Sequence, residues 1–294
     1  MKWFKKKQRP LPEDTICRNC GTQTIGRYCH ECGQDINAGT GQSTLKLTEQ
    51  ALESAFALDG KTPRTLAFLM VRPGFLSEEY RKGKINRYIH PVRLFWMATL
   101  VFFALLISQL NSNEVLKSPI YYSTENGLTI SLNEPSDSTT TMSQNMDEGE
   151  SYKKMDEKDW SMMVNYIAKF APYVTFLLIP IFAFLLILFF WRTKCYYMYQ
   201  MVFTLHFHTF LWIFFSLNLL VDIFTRNWTY PTWLNTLLFF LPGVYLIVAL
   251  RRYYQTKSWW QATWKAVLIS LLYAILIIMV TACIVAVVIK IYFP

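Results

Sequence analysis

Four cysteines near the start of the chain stand in two Cys-x-x-Cys pairs, within the stretch ICRNCGTQTIGRYCHECGQD at residues 16–35. Eight residues separate the two pairs. Two such pairs can supply the four thiolates of a closed tetrahedral metal site, which leaves no position for water or substrate. The spacing therefore predicts a small structural zinc ribbon, whose metal ligands are Cys17, Cys20, Cys29 and Cys32.

A glycine, Gly21 or Gly33, follows each pair, and glycine readily adopts the positive φ of a turn whose N–H groups point at thiolates. An iron site uses the same four ligands, and a redox dithiol uses the same Cys-x-x-Cys pairs, so the spacing alone excludes neither. The ligand type favours zinc. Disulfides are disfavoured, because the charge pattern below places this segment in a reducing cytoplasm. About twenty residues bury too little apolar surface to fold unaided, so we expect Zn²⁺ to provide folding free energy.

The rest of the chain must position this head, and its composition indicates a membrane domain. The protein has 294 residues, of which 53% are apolar. The apolar residues concentrate in five long runs, and a helix of about 20 apolar residues crosses the hydrocarbon layer. We therefore predict an all-α integral membrane protein with five transmembrane helices and a small N-terminal zinc ribbon. The predicted spans lie near residues 92–110, 170–191, 200–221, 233–250 and 266–289.

The charge pattern predicts the orientation of these spans. Residues 1–93 contain 16 Lys and Arg against 9 Asp and Glu, whereas residues 111–160 contain 10 acidic residues against 4 Lys. Lys and Arg concentrate on the cytoplasmic side of membrane proteins. We predict a multi-pass protein of the bacterial inner membrane, with the N-terminus in the cytoplasm and the C-terminus outside.

Three units follow from these patterns. Residues 1–38 form the ribbon with its basic N-terminus, residues 39–91 an amphipathic membrane-proximal helical segment, and residues 92–294 the membrane domain. Within the membrane domain, the polar and acidic loop 111–160 has the composition of a largely disordered segment.

Two helices are predicted in the membrane-proximal segment, the first over residues 44–58. The second starts at Thr62-Pro63, with Thr62 as its cap, and ends at Arg72-Pro73-Gly74. Residues 75–93 then mix aromatic and basic side chains. Such a segment could lie in the inner membrane interface. It could equally be a solvated face whose basic residues set the orientation of the first span, and the sequence does not distinguish the two.

The net charge of +9 is explained by topology and by attraction to anionic membrane lipids, so no nucleic acid partner is expected. Ionisable residues are scarce within the spans. His206 and His208 stand in the third span, but a spacing of two residues puts them about 200° apart around a helix. The sequence has no Gly-x-Ser-x-Gly, phosphate-binding loop or His-Glu-x-x-His motif, so we expect a protein without enzymatic activity.

Several short motifs resemble those of a bacterial membrane family of unknown function, which joins a Cys-x-x-Cys-Gly ribbon to a membrane domain. The landmarks here are Tyr28-Cys29-His30-Glu31-Cys32-Gly33-Gln34, Thr65-Leu66, Arg72-Pro73-Gly74, Glu79-Tyr80, Gly83-Lys84, Tyr88 and Pro91. The family often has Arg after Gly-Lys, where this chain has Ile85. The resemblance implies the architecture and no activity. The architecture is also similar to that of the five-span Yip family of membrane-traffic proteins.

These observations predict a non-enzymatic membrane scaffold or adaptor. Its cytoplasmic ribbon would recruit a protein partner, and its basic approach segment would contact anionic membrane lipids. The alternative is a transporter or channel with a pathway between the spans that involves His206 or His208. The sequence is compatible with a homo-oligomer.

Overall fold

A computed structural model of the protein describes residues 15–36, 60–112, 120–123, 129–131, 153–155, 157–193, 195–224 and 231–292. The helix predicted over residues 44–58 lies outside these ranges. The helices in the described residues are α1 (Thr62–Val71), α2 (Phe75–Arg81), α3 (Pro91–Ser112), α4 (Glu157–Phe189), α5 (Tyr197–Phe224), α6 (Thr232–Tyr254) and α7 (Trp259–Tyr292). A 3₁₀ turn, Trp191–Thr193, follows α4.

The head is built from two small turns. Strand β1 (Thr15–Ile16) pairs antiparallel with β2 (Gln23–Thr24) around the first cysteine pair. A bridge between Tyr28 and Asp35 closes the second turn. The Arg27 guanidinium lies 3.1 Å from the Asp35 carboxylate on the same side. The two turns thus have matching hydrogen-bonded frames, each enclosing one Cys-x-x-Cys pair.

The five long helices confirm the predicted membrane class. Helices α3 to α7 each contain a stretch that is long and apolar enough to cross a membrane. These candidate spans are Pro91–Leu110, Phe170–Phe189, Tyr197–Phe224, Thr236–Tyr254 and Trp259–Val287. Helix α3 packs along α5, α4 contacts α5 and α7, and α6 packs on α7. The fold is therefore all-α, with a four-cysteine head at its N-terminal side.

Helix α1 begins one residue earlier than the sequence suggests. Its N-cap is Lys61, which makes no side-chain capping bond, so the prediction of Thr62 as the cap was wrong. The N–H and the hydroxyl of Thr65 both donate to the Lys61 carbonyl, at 3.0 and 2.8 Å. Because the first helical hydrogen bond thus ends at Lys61, Thr62 lies inside the first turn. The predicted end of the helix is confirmed, because Arg72 is its C-cap and Gly74 has a φ of 74°.

Within the loop over residues 111–160 the structure describes three short strands. The prediction of a largely disordered segment concerns mainly residues outside the described ranges and stays a prediction. Strands β3 (Ile120–Ser123), β4 (Thr129–Ser131) and β5 (Lys153–Met155) form an antiparallel sheet with β3 in the centre. The β3 sequence IYYS and the β4 sequence TIS are rich in β-branched and aromatic residues, which favour strands. The average polarity of the loop conceals these local preferences.

Helices α1 and α2, with the turns on either side of α2, form a unit that we call the connector (residues 60–90). Most of its large apolar side chains pack on protein, with Val71 as an exposed exception. Leu69, Leu76, Tyr88 and Ile89 are buried in one core with aromatic residues of α4, α5 and α6. The apolar face of residues 75–93 thus binds the bundle instead of lying on lipid, because α5 and α6 offer an aromatic surface that the sequence pattern does not reveal.

Close backbone contact locks the connector in place. A Cβ built on Gly74 would lie 2.6 Å from the Ala249 carbonyl oxygen in α6, so only glycine fits this position. The Tyr245 hydroxyl of the same helix donates to the Leu69 carbonyl at 2.8 Å. The connector is therefore an integral part of the bundle that leads directly to the head.

Candidate metal centre

Each cysteine pair occupies a tight turn closed by a backbone hydrogen bond. The Gly21 N–H donates to the Cys17 carbonyl, and the Gly33 N–H donates to the Cys29 carbonyl, both at 2.8 Å. The two glycines have φ values of 84° and 67°, as the sequence predicts. L-residues with a Cβ rarely adopt this conformation, which explains the glycine after each pair.

The structure brings the four predicted ligands together. The Sγ atoms of Cys17, Cys20, Cys29 and Cys32 all lie within 4.8 Å of one another. Two of the distances between the turns are 3.6 Å, from Cys17 to Cys32, and 3.5 Å, from Cys20 to Cys29.

These distances fit a tetrahedral metal ion. A tetrahedron with metal–sulfur bonds of about 2.3 Å has sulfur–sulfur edges of about 3.8 Å. A disulfide requires about 2.05 Å, which is far shorter than the observed distances, and all four cysteines are free thiols. The four thiols can therefore hold a metal ion; its identity and its binding stay predictions.

The two cysteines of the first turn have different environments. Burial raises the pKa of the Cys17 thiol to about 11. Hydrogen bonding with the Thr22 side chain, whose Oγ1 lies 3.4 Å from the sulfur, lowers the pKa of Cys20 to about 6. Of these two thiols, Cys20 therefore has the lower pKa.

The head is docked on the connector by one buried glutamine. The Gln34 side-chain amide donates to the Gly83 carbonyl at 2.6 Å, and its Oε1 accepts from the N–H groups of Ile85 and Asn86, both at 3.3 Å. The Asn86 side chain donates in return to the Cys32 carbonyl at 3.4 Å. Three side-chain–backbone bonds at Gln34 therefore join the cysteine turns to the connector.

This docking role was not predicted from the sequence. The available signal was the motif itself, because Gln34 ends the Tyr-Cys-x-x-Cys-Gly-Gln landmark and Gly83 begins the Gly-Lys landmark. The structure places the two landmarks against each other. A Cβ on Gly83 would lie 2.9 Å from the Arg18 side chain, so the glycine also permits the close approach of the head.

The two histidines of the third span are both buried and hydrogen-bonded within the protein. His206 Nδ1 lies 2.9 Å from the Ser77 hydroxyl of the connector. His208 contacts the Thr204 carbonyl and the Tyr273 hydroxyl, at 2.9 and 2.7 Å. The structure thus directs the two rings to different partners, as their spacing predicts.

Comparison with known proteins finds a partial match to a family of unknown function. The model of a family described as "Protein of unknown function (DUF3667)" matches residues 59–103. No curated protein and no solved structure matches the chain. Fold and site together define a multi-pass membrane protein with a head that can bind metal. The matched segment contains the connector and the first part of α3, but not the cysteine turns.

Proposed function

We propose that the protein is a non-enzymatic inner-membrane scaffold or adaptor, in which a cytoplasmic zinc ribbon recruits a protein partner. The observation that carries this proposal is the four-thiol head, docked on the connector through Gln34. Four thiolates would saturate a tetrahedral ion and leave no open position for chemistry. A structural role in presenting a surface is the function that such a site supports best.

Zinc is the metal that this donor set suits. Thiolate ligands at tetrahedral spacing select zinc or iron among the common metals of proteins. The head has few other means of stability, because Cys17 and Cys29 are its buried apolar residues among those described. A bound ion would therefore provide much of the folding free energy of residues 15–36.

The surface offered to a partner is apolar. Ile16, Ile25 and Tyr28 are 67%, 89% and 57% exposed, although they belong to a head of about twenty residues. A contiguous apolar patch bordered by polar residues is typical of protein interaction sites, and we propose that these three side chains form one. The Arg27 guanidinium lies over the Tyr28 ring, 5.4 Å from its centroid.

Cationic side chains at the end of the bundle that carries the head support a cytoplasmic orientation and contact with anionic lipid. The Arg251 guanidinium lies 3.7 Å above the Trp259 ring, and Lys265 Nζ lies 4.3 Å above the Phe190 ring. Aromatic and basic residues together favour the cytoplasmic membrane interface.

A transporter or channel is the second candidate, and one observation favours it. His208 lines a cavity of about 370 Å³ between the spans. The buried rings of His206 and His208 both have hydrogen-bond partners within the protein, which favours a structural role for the two histidines. The adaptor therefore stays the first proposal.

The test captures partners with the full-length protein in native membranes. The variant Ile25→Ser/Tyr28→Ser removes the apolar surface and leaves the four cysteines in place. Val71→Ser is the matched control, because Val71 is 77% exposed and lies outside the head. We expect crosslinked partners to be lost from the double variant and kept by the control, with equal metal content in all three proteins. An unchanged partner set in the double variant would overturn the proposal.

A further inference from the structure

Helix α1 has two sides with different surroundings. Its inner side packs on the bundle, where Leu69 is buried and its carbonyl accepts from the Tyr245 hydroxyl at 2.8 Å. Residues three or four positions apart share one side of a helix. What we call the outward face, on the other side of α1 and at its C-cap, consists of Arg64, Ala67, Phe68, Val71 and Arg72. Phe68 is half-buried and the other four are exposed, Val71 to 77%.

Both arginines of the outward face lie over the same aromatic ring. The Arg64 guanidinium is 5.6 Å from the centroid of the Phe68 ring, and the Arg72 guanidinium is 5.2 Å from it. The Phe68 ring packs in turn on the rings of Phe75 and Tyr88, with centroids 5.1 and 5.9 Å apart. The two positive charges thus share one aromatic platform, and both side chains stay exposed.

The charge of the outward face is not balanced by nearby acidic residues of the described chain. Residues 60–77 contain Lys61, Arg64 and Arg72 but no Asp or Glu. The ion pairs of the described residues lie elsewhere, in the head and between α2 and the residues that directly follow it. Unbalanced cations beside an exposed apolar side chain are typical of helices that bind an anionic membrane surface.

The outward face lies beside the end of a membrane span. The turn that follows α1 contacts the last residues of α6, where Gly74 lies against Ala249. The Arg252 guanidinium of α6 donates to the Pro73 carbonyl at 3.2 Å. Lipid headgroups surround a membrane protein at the ends of its spans, so they are the anions that this face would meet.

We propose that the outward face of α1 binds anionic phospholipids of the cytoplasmic leaflet. Arg64 and Arg72 contact the lipid phosphates, and Val71 enters the adjoining acyl layer. This inference rests on the lipid contact within the proposed function and names the residues that make it. It assigns the contact to α1 instead of to the apolar face of residues 75–93, which packs on the bundle.

The experiment uses the full-length protein in nanodiscs of neutral phosphatidylcholine. The probe is a photoreactive phosphatidylglycerol, and the matched probe is a phosphatidylcholine with the same photoreactive acyl chain. We expect saturable labelling of peptides that contain Val71, at least fivefold stronger with the anionic probe, the effect of one basic residue near an anionic surface. Equal labelling by both probes would overturn the proposal. Absence of labelling by either would also overturn it, and would leave the face to a soluble acidic partner.

Charge variants locate the headgroups. Arg64→Gln/Arg72→Gln should make the labelling by the two probes nearly equal, whereas Arg64→Lys/Arg72→Lys keeps both charges and should keep the preference. For a comparison matched in charge, Arg72→Gln should reduce the preference and Lys82→Gln should not, because Lys82 is already paired with the Glu78 carboxylate at 2.8 Å. An unchanged preference in the double glutamine variant, or an equal loss in the double lysine variant, would contradict the assignment.

The head variant Ile25→Ser/Tyr28→Ser separates this result from partner recruitment. It should keep the natural preference for the anionic probe even where it loses its protein partners. Lipid binding and recruitment can therefore fail independently. If an arginine variant does not insert, the comparison of the two probes on the natural protein remains decisive.

Discussion

The head and the connector are neighbours in the chain, yet different forces hold them. In the head, residues 15–36, large apolar side chains such as Ile25 are exposed, and the four thiols lie within 4.8 Å of one another. In the connector, residues 60–90, side chains such as Leu69 and Leu76 are almost fully buried against the long helices. From this comparison we predict that the head depends on a bound metal ion and the connector on packing, so each should fail separately.

Metal loss should have the largest effect. Removing the ion, or making Cys17→Ser/Cys20→Ser, should unfold the head, because apparent binding free energies of structural zinc are about 10–16 kcal/mol. The bundle should keep its helical content. Proteolysis between residues 15 and 36 and the metal stoichiometry would report on the head. Circular dichroism would report on the helical content of the bundle.

The control for metal loss is Cys195→Ser/Cys283→Ser, because neither cysteine belongs to the cluster. These changes should leave metal content and protease resistance unchanged. A loss of helical content in the Cys17→Ser/Cys20→Ser variant would show that the two regions do not fold separately.

Gly74→Ala should break the connector and leave the head metal-bound. The new Cβ would meet the Ala249 carbonyl oxygen at 2.6 Å, in a backbone with a φ of 74°. We expect the free energy of unfolding in detergent to fall by roughly 2–4 kcal/mol. Gly243→Ala is the matched control, since nothing lies within 4 Å of its Cβ position. Equal melting temperatures for the two variants would refute the close contact.

Gln34→Ala should separate the two regions without unfolding either. It removes the bonds to Gly83, Ile85 and Asn86, which should weaken docking by about 1–3 kcal/mol. Amide hydrogen exchange at Ile85 and Asn86 should accelerate while zinc stoichiometry stays constant. Glu31→Gln, on the exposed side of the head, should leave exchange unchanged. Protected amides in Gln34→Ala would mean that other contacts hold the head.

Ser77→Ala should have the smallest effect, since it removes one hydrogen bond between connector and bundle, the one to His206. We expect a loss of about 1 kcal/mol in stability. Thr263→Ala is the control, because its exposed hydroxyl donates to the Trp259 carbonyl of its own helix. A larger loss at Thr263 than at Ser77 would contradict this ranking.

Patterns that are local in the chain were sufficient for part of this protein. The four cysteines and the glycines after each pair predict the two turns, because a tight turn depends only on residues within a few positions. The five long apolar runs predict the spans, since crossing a membrane requires length and apolar composition alone. The end of α1 at Arg72-Pro73-Gly74 is a local signal of the same kind.

Contacts between distant residues were decided only by the tertiary structure. Gln34 and Gly83 are 49 positions apart, and Ser77 and His206 are 129 apart, so no periodicity connects them. The burial of residues 75–93 on the bundle, instead of on lipid, depends on aromatic surfaces contributed by α5 and α6. The sequence by itself therefore determined which segments turn, cross the membrane or offer metal ligands. The tertiary structure alone decided what each segment touches, because side chains from helices far apart in the chain form each contact surface together.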